Sequence, residues 1–347
     1  MDQANDQSHS PSGPPHLRDD WDEVVASFDT GSIYHSTGWL NFLRDTQNAE
    51  IITEAFELDG VRCYHVAARI RKGPFGILGS PLPGWATATM GPLFNLAEVD
   101  QSKLIDELEA FGKRHRVSMY ELVNGELNPE LMRSKGWAEE PDGTFIVDLP
   151  ATHDELWDHI RSTCRNRIRK ARNNGLTVQI GNDDKLVGDV WDRVDAVFRH
   201  QDLVSSYDRA RVQALYDELA PRGQVIGLRV LAPDGHIAAC GIFPYDSECI
   251  YFWAGAARPE DRALVPNELM HWELMCHAID LGLTRYDMCG GGDYKKKYGA
   301  RHVQTAHWIR YYNGFAKLGR STMARLVRTK RNVAGRIRNL GKTPPTG

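Results

Sequence analysis

The chain has 347 residues, which is too long for one ordinary domain and sufficient for two. Its 41% hydrophobic and 25% charged residues are typical of a globular protein, and its net charge is −4. The six cysteines form no C-x-x-C pair and no metal-ligand spacing, so we expect reduced thiols, a cytoplasmic protein and no metal site. No apolar run approaches the length of a membrane span.

The first half is predicted to be a domain over 18–150. Residues 1–17 precede it as a polar tail that lacks the features of a signal peptide and is expected to be disordered. Two strand-like runs, IITEAFEL and VRCYHVAARI, are joined by Asp59-Gly60, a strong hairpin signal. A Gly- and Pro-rich loop, a helix, the strand VSMYELV, a second helix and the strand TFIVDLP follow.

The second half is predicted to be a domain over 151–314. A helix from about His153 to Asn173 stops at Asn174-Gly175. The strand LTVQI, two further helices, the strands QVIGLRVLA, HIAACGIFP and CIYFWAGA, and the helix PNELMHWELMCHAIDLG follow. The strand TRYDM then runs into the loop CGGGDYKKKYG. The plan of the first half recurs: strand, DG turn, strand, helix, and a strand with a Tyr-acid pair. We therefore predict a duplicated α/β unit with mixed sheets flanked by helices.

The C-terminal segment 315–347 is predicted to be a basic helix. From Lys317 to the end there are nine basic residues and no acidic residue. This asymmetry indicates contact with a polyanion, such as an anionic membrane surface, RNA or a diphosphate. A solvated terminal helix with no such partner is the alternative.

The glycine-rich loop in the segment YDMCGGGDYKKKYGA is the strongest candidate for chemistry. Three glycines, Gly290, Gly291 and Gly292, follow a strand and permit close approach of a ligand. Lys295 comes next, between the aromatic rings of Tyr294 and Tyr298. The pattern favours a clamp for an oxyanion or phosphate, and a surface loop with solvated lysines is the alternative.

A second candidate is the basic helix RSTCRNRIRKARNNG. Its apolar stripe is bordered by a cationic stripe that includes Arg165 and Arg169. Arginines at the rim of a groove suit phosphate, because the planar guanidinium can bind two oxygens at once. An ordinary basic helix face is the alternative.

Asp287 is the acid of interest, since it ends the strand before the glycine loop. The carboxyl ends of strands are where α/β sites gather. We predict that Asp287 is a general base for an attacking amine or, alternatively, the partner of a nearby cation.

Taken together, these segments resemble the Fem family of peptidyltransferases. CRNRIRKARNNGLTVQIG is similar to the family's basic helix and G-x-x-V strand, and YKKKYGA to its F-K-x-x-F element. PNELMHWELMCHAIDLGLTRYDMCGGG is similar to its helix and YD-x-GG passage. HSTGWLNFL resembles its Q-S-x-x-W motif, and MGPLFN its G-P turn. The resemblance runs in order from about Tyr34 to Tyr312.

The resemblance implies two tandem GNAT-like domains. Fem enzymes transfer an amino acid from aminoacyl-tRNA to an amine of a peptidoglycan precursor, without a metal or a covalent intermediate. It also implies that Lys295 polarises the scissile ester and that Arg209 contacts a diphosphate. Leu43 stands where the family often has a phosphate-binding lysine, which puts that contact in doubt. The stretch AARPEDRALVPN lacks the glycines with which ordinary GNAT enzymes bind CoA, so that mode of CoA binding is disfavoured.

The sequence therefore predicts an N-acyl- or aminoacyltransferase acting on an amine of a cell-envelope, polysaccharide or peptide precursor linked to a phosphate or diphosphate. The donor, aminoacyl-tRNA or acyl-CoA, is a co-substrate, and no tightly bound cofactor is expected. One alternative is a CoA-dependent N-acetyltransferase for an amino sugar. Another is a non-catalytic protein that binds RNA or a membrane surface. The predicted location is the cytoplasm, and the basic tail adds peripheral contact with the inner face of the membrane as an option.

Overall fold

The structure is a computed structural model that describes residues 17–201, 205 and 208–320. Nearly all of the predicted tail 1–17 lies outside the described residues. The basic tail predicted over 315–347 is described as far as residue 320, and residues 314–320 are helical. Among the helices that the structure describes, none combines the length and the apolar character that crossing a membrane requires.

Helices and strands alternate along the described chain. The helices are α1 Trp21–Ala26, α2 Thr37–Gln47, α3 Gln101–Arg114, α4 Pro129–Ser134, α5 His153–His159, α6 Ser162–Asn173, α7 Leu186–His200, α8 Arg209–Leu219 and α9 Pro266–Asp280. The strands are β1 Glu50–Leu58, β2 Val61–Lys72, β3 Phe75–Ser80, β4 Met119–Val123, β5 Ala138–Asp148, β6 Thr177–Ile180, β7 Val225–Leu231, β8 Ile237–Pro244, β9 Cys249–Tyr251, β10 Ala254–Ala257, β11 Arg285–Asp287 and β12 Arg301–Tyr311.

Local sequence signals account for several boundaries. Asp59 and Gly60 both have positive φ and join β1 to β2, as the DG signal predicts. Thr152 begins α5 by accepting a hydrogen bond from the Glu155 N–H. Gly175 follows α6 with φ 78°, a left-handed conformation that favours glycine after a helix.

The strands form two sheets in which the halves of the chain exchange strands. The larger sheet has the order β1-β2-β3-β4-β12-β5-β11-β9, and the smaller has the order β10-β8-β7-β6. β5, from the first half, pairs antiparallel with β11 of the second half, and β12 lies between β4 and β5. Side chains of both halves therefore meet along the middle of the larger sheet.

Two predicted elements are divided in the structure. The predicted helix from His153 to Asn173 is two helices, because the chain is extended at Ile160 and Arg161. The Arg161 N–H there donates to the Lys297 carbonyl (3.0 Å), which attaches the start of α6 to the glycine-rich segment. Tertiary contact thus overrides a helical pattern that is continuous in sequence.

The predicted strand CIYFWAGA is likewise divided, into β9 and β10. β9 pairs with β11 in the larger sheet, whereas β10 pairs with β8 in the smaller sheet. At the point of divergence the Phe252 N–H donates to the Asp287 carbonyl (2.9 Å). β10 and β11 therefore separate immediately beside Asp287, which leaves space at the carboxyl end of β11.

One hydrophobic core joins the two halves. In it α8 packs against both α2 and α7, and the buried residues include Trp39, Phe42, Val190 and Leu215. Because these residues come from both halves of the sequence, the halves are packed as one unit around the larger sheet.

Candidate active site

The glycine-rich loop begins where β11 ends. Cys289 (φ 49°) and Gly290 (φ 66°) lie in the left-handed region, and Gly292 has φ 128°. This backbone suits glycine, but it costs on the order of 1 kcal/mol for a residue with a Cβ such as Cys289. The loop turns back on itself and leads into a 3-10 turn, Asp293–Tyr298.

Lys295 lies inside this turn with only 4% of its surface exposed. Its Nζ donates to the carbonyl oxygens of Cys289 and Gly290, the latter at 2.9 Å. The same Nζ is 5.8 Å from the centre of the Phe145 ring. Burial lowers the pKa of Lys295, and the nearby Cys289 and Asp287 oppose this effect. An ammonium has three N–H donors, and these carbonyls use two of them.

The three consecutive lysines have different partners. Lys296 is exposed and pairs with Asp293 at 2.9 Å, whereas the Lys297 Nζ is 2.7 Å from the Glu268 Oε1. The 3-10 turn directs the Lys295 side chain toward the glycine loop, whereas the side chains of Lys296 and Lys297 point to other partners.

Asp287 is buried at the end of β11, with 7% of its surface exposed. Its Oδ1 accepts hydrogen bonds from the Thr144 hydroxyl and from the Cys289 N–H (2.7 Å). Burial raises the pKa of Asp287, and these hydrogen bonds oppose the rise. A carboxyl with a raised pKa is a stronger base once it is ionised, as proton transfer from an amine requires.

The first half supplies one wall of the site. Tyr34 is buried, and its hydroxyl is 3.9 Å from the Cys289 Sγ. Burial raises the pKa of Tyr34 well above its ordinary value, so the phenol stays protonated. The Tyr34 ring packs edge-on against Trp39 and Tyr251, with centroids 4.6 and 4.9 Å away.

Asp246 holds this wall in place across the two halves. Its Oδ2 accepts hydrogen bonds from the Ile33 N–H (2.9 Å) and from the Tyr251 hydroxyl (3.0 Å). Its Oδ1 accepts from the Cys249 N–H at the start of β9 (2.8 Å). The Asp246 carboxylate thus holds three parts of the structure together. They are Ile33, which precedes Tyr34, the Tyr251 ring, which packs on Tyr34, and β9, which pairs with β11.

Both predicted arginines of α6 contact Trp157 of α5. The Arg165 Nη1 donates to the carbonyls of Trp157 (3.0 Å) and Ile160 (2.7 Å), where it caps the end of α5. The Arg169 guanidinium lies 5.1 Å from the centre of the Trp157 ring. Within the described part of the chain, neither guanidinium is hydrogen-bonded to Lys295 or Asp287. Substrate binding by Arg165 and Arg169 stays a prediction.

Arg209 is the first residue of α8, and its guanidinium lies beside Gly188 of α7. Its contact with a diphosphate also stays a prediction. Arg211, two residues further along α8, is buried and donates to the carbonyls of Gly84 (3.0 Å) and Trp85. It therefore links α8 to the Gly- and Pro-rich loop of the first half.

The two predicted aromatic residues differ in exposure. Tyr294 is exposed and can meet a ligand at the mouth of the loop. Tyr298 is buried in the second-half core, where its ring is 4.7 Å from the His271 ring. Tyr298 is therefore a residue of the core, whereas Gly290 and Gly291 are exposed and Gly292 is half-buried.

Sequence reasoning missed Thr144, Tyr34, Asp246 and Glu268. Glu268 is buried on α9 and accepts from both the Arg167 Nη1 (3.0 Å) and the Lys297 Nζ (2.7 Å). Tyr34 directly precedes the segment HSTGWLNFL, whose similarity to a family motif was the signal that could have found it. Thr144 carried no local signal, since it reaches Asp287 only through the pairing of β5 with β11.

A cavity of about 320 Å³ opens elsewhere, between the carboxyl end of β4 and β12. Its lining includes Asn124, Arg133, Glu139 and Trp308. Neither Lys295 nor Asp287 lines it. The candidate site is therefore defined by the chemistry of the glycine loop and not by this cavity.

Part of the sequence matches a known protein family. Residues 158–298 match the family model described as an acetyltransferase (GNAT) domain. This range contains α6, β9, β10, α9, β11 and the loop as far as Tyr298. No curated protein matches the sequence.

Solved structures match nearly the whole chain. FemX has a TM-score of 0.69 and 13% identity, covering 84% of this chain and 96% of that one. A conserved protein of unknown function from Bacteroides thetaiotaomicron has a TM-score of 0.58, 13% identity and the same coverage. L-PGS from Bacillus licheniformis has a TM-score of 0.51 and 12% identity, covering 86% of this chain and 92% of that one.

The family-model match indicates that the second half contains a GNAT acetyltransferase domain, so the chain is an acyltransferase. Its fold consists of two tandem GNAT-like units in a mixed α/β arrangement, as predicted. The similarity of this fold to FemX bears out the resemblance to the Fem family seen in the sequence. The domain boundaries 18–150 and 151–314 stay a prediction. β12, which follows the glycine loop, lies between two strands of the first half.

Proposed function

We propose that this acyltransferase transfers an activated acyl or aminoacyl group to an amine of a cell-envelope, polysaccharide or peptide precursor. The observation that carries the proposal is that an ammonium and a carboxyl group are both buried at the end of β11. A buried ammonium, Lys295, is held by loop carbonyls next to the buried carboxyl of Asp287. One group is suited to a developing negative charge and the other to the proton of an attacking amine.

The proposed reaction needs no covalent enzyme intermediate. The acceptor nitrogen attacks the acyl carbon of an ester or thioester, and the carbonyl oxygen becomes negatively charged. The third N–H of Lys295 is the donor for that oxygen. Asp287 accepts the proton that the nitrogen loses and returns it to the leaving oxygen or sulfur as the old bond breaks. Positioning and electrostatic stabilisation provide most of the rate.

The nature of the donor is part of the proposal. FemX and L-PGS have the same fold, but their low identity carries no substrate to this chain. The segment before α9 contains a 3-10 turn, Pro259–Leu264, and Val265 with φ 64°, and it lacks glycine. This segment supports an aminoacyl ester over CoA, while acetyl-CoA with an amino-sugar acceptor is the second candidate.

A transfer assay with labelled donors tests the proposal. The full chain is incubated with charged total tRNA or with labelled acetyl-CoA, in the presence of amine-bearing envelope precursors and amino sugars. Label that moves to an acceptor in the wild type, and not in Lys295→Ala, supports the proposal. Tight RNA binding with a steep salt dependence and no transfer from either donor would favour a non-catalytic RNA-binding protein instead.

A further inference from the structure

The chain leaves β12 through a short helical segment, residues 314–320, that is seated on the larger sheet. Ala316 is buried and packs against Met119 of β4 and Ile309 of β12. Phe315 and Leu318 are 74% and 67% exposed. Residues three apart in a helix lie on the same side, so these two apolar side chains form one exposed patch.

Arg320 fixes the end of this segment. Its Nε donates to the Glu121 Oε1 (3.0 Å), and its Nη2 donates to the Glu140 Oε2 (2.8 Å). The Glu121 carboxylate is buried, and the His307 Nε2 is 2.9 Å from its Oε2. A buried carboxylate requires cationic partners. If Arg320 were released, His307 would be the remaining partner of Glu121 among the described residues. We call the contacts of Arg320 with Glu121 and Glu140 the latch, because they hold residues 314–320 in this orientation.

Glu121 is also the first-half counterpart of Asp287. Each acid follows a tyrosine, lies in the strand after the long helix of its half and is contacted from a strand of the other half. Thr144 of β5 makes that contact to Asp287, and His307 of β12 makes it to Glu121. In the second half the acid faces the glycine loop. In the first half the acid at the same position, Glu121, binds Arg320 and so holds the C-terminal segment.

We infer that the C-terminal segment docks this acyltransferase on an anionic lipid surface, with Phe315 and Leu318 entering the interface. The charge pattern is complementary, because Lys317 to the C-terminus contains nine basic residues and no acidic one. Exposed phenylalanine and leucine beside lysine and arginine are typical of interfacial helices. RNA would use the charges but would leave the apolar patch in water, so lipid is the partner that uses both features.

Vesicle co-sedimentation with the full chain tests this inference independently of any transfer activity. We expect binding to vesicles of phosphatidylcholine with 30% phosphatidylglycerol, weakening with salt, and little binding to pure phosphatidylcholine. The double variant Phe315→Ser/Leu318→Ser should reduce the partition coefficient at least about tenfold, since the apolar contribution is lost. Leu281→Ser, at an exposed leucine on the turn after α9, should leave it unchanged.

Three results would overturn the inference. They are equal binding to both kinds of vesicle, unchanged binding by the double variant, and displacement of the chain from vesicles by poly(U) RNA at concentrations far below the lipid. A concentration-dependent dimer that the double variant abolishes, without lipid binding, would assign the patch to a second copy instead.

The latch has its own matched pair of variants. Arg320→Ala and Lys317→Ala each remove one positive charge, but only Arg320 is bonded to Glu121. We expect Arg320→Ala to speed amide hydrogen exchange over 314–319 and to weaken vesicle binding several-fold more than Lys317→Ala. Arg320→Lys should recover part of the loss. Equal effects of the two alanine variants on exchange and on binding would show that the latch plays no part in docking.

Discussion

The hydroxyl of Thr144, on a strand of the first half, donates a hydrogen bond to the carboxylate of Asp287 in the second half. The contact exists because β5 of the first half pairs with β11 of the second half within the larger sheet. The candidate base is thus oriented by a residue that lies far away in sequence. Neither half alone contains the complete site.

Lys295 is expected to govern the chemical step. Lys295→Ala should lower the transfer rate by roughly 10²–10³, because the donor to the developing oxyanion is lost. Substrate affinity should change little, and single-turnover kinetics separate the two effects. Lys295→Arg should recover little activity, since a planar guanidinium cannot replace a compact ammonium between two carbonyls.

Lys296→Ala is the matched control, because Lys296 is exposed and pairs only with Asp293 in the described structure. It should retain most of the wild-type rate. Similar, mild losses from Lys295→Ala and Lys296→Ala would instead make the lysines a diffuse positive patch, and the specific part of Lys295 would be refuted.

Asp287 is expected to produce the acid limb of the pH–rate profile. Burial raises the pKa of Asp287, so activity should rise with pH through a pKa above that of an ordinary aspartate. Thr144→Val removes a hydrogen bond that holds this pKa down, so the limb should move to higher pH. Asp287→Asn should lower the rate and abolish the limb. A limb that stays in place in Thr144→Val would contradict the assignment.

The raised pKa of Asp287 also predicts how the stability of the fold changes with pH. A carboxyl whose pKa is higher in the folded than in the unfolded chain stabilises the fold while it is protonated. That contribution is lost as the pH rises through the folded pKa. Asp287→Asn imitates the protonated group, so its melting temperature should exceed that of the wild type at pH 7, and the difference should shrink toward pH 4. A lower melting temperature at pH 7 would mean that the charged form is stabilised overall.

Two adjacent glycines give a matched test of the loop. Gly292 has φ 128°, and a Cβ there would lie 2.7 Å from the Tyr294 ring. Gly291 has open space around it and no left-handed φ. Gly292→Ala should therefore cost about 1–2 kcal/mol in the free energy of unfolding and slow transfer, while Gly291→Ala should be close to neutral. Denaturant unfolding measures the first effect, and equal costs would contradict it.

The sequence revealed local features of the site better than its assembly. Glycine spacing and the Tyr-acid pair located the loop, Lys295 and Asp287, because those signals lie within fifteen consecutive residues. Thr144 could not be found this way, since its part depends on strand exchange between the halves. The division of CIYFWAGA was also hidden, because no turn signal interrupts the run and only the diverging sheets separate β9 from β10.

The wall formed by Tyr34 is expected to depend on Asp246. Asp246→Ala leaves the Ile33 N–H and the Tyr251 hydroxyl without their acceptor, which should cost about 1–3 kcal/mol in the free energy of unfolding. Tyr34 should then withdraw from Cys289, the one half-buried cysteine, since the other five are buried. Reaction with a thiol reagent should accelerate at Cys289 in Asp246→Ala, as measured by mass spectrometry of the labelled peptide. Asp184→Ala, at an exposed aspartate before α7, is the control and should react like the wild type. If Asp246→Ala also reacts like the wild type, Tyr34 is held by its ring contacts with Trp39 and Tyr251, and Asp246 does not position it.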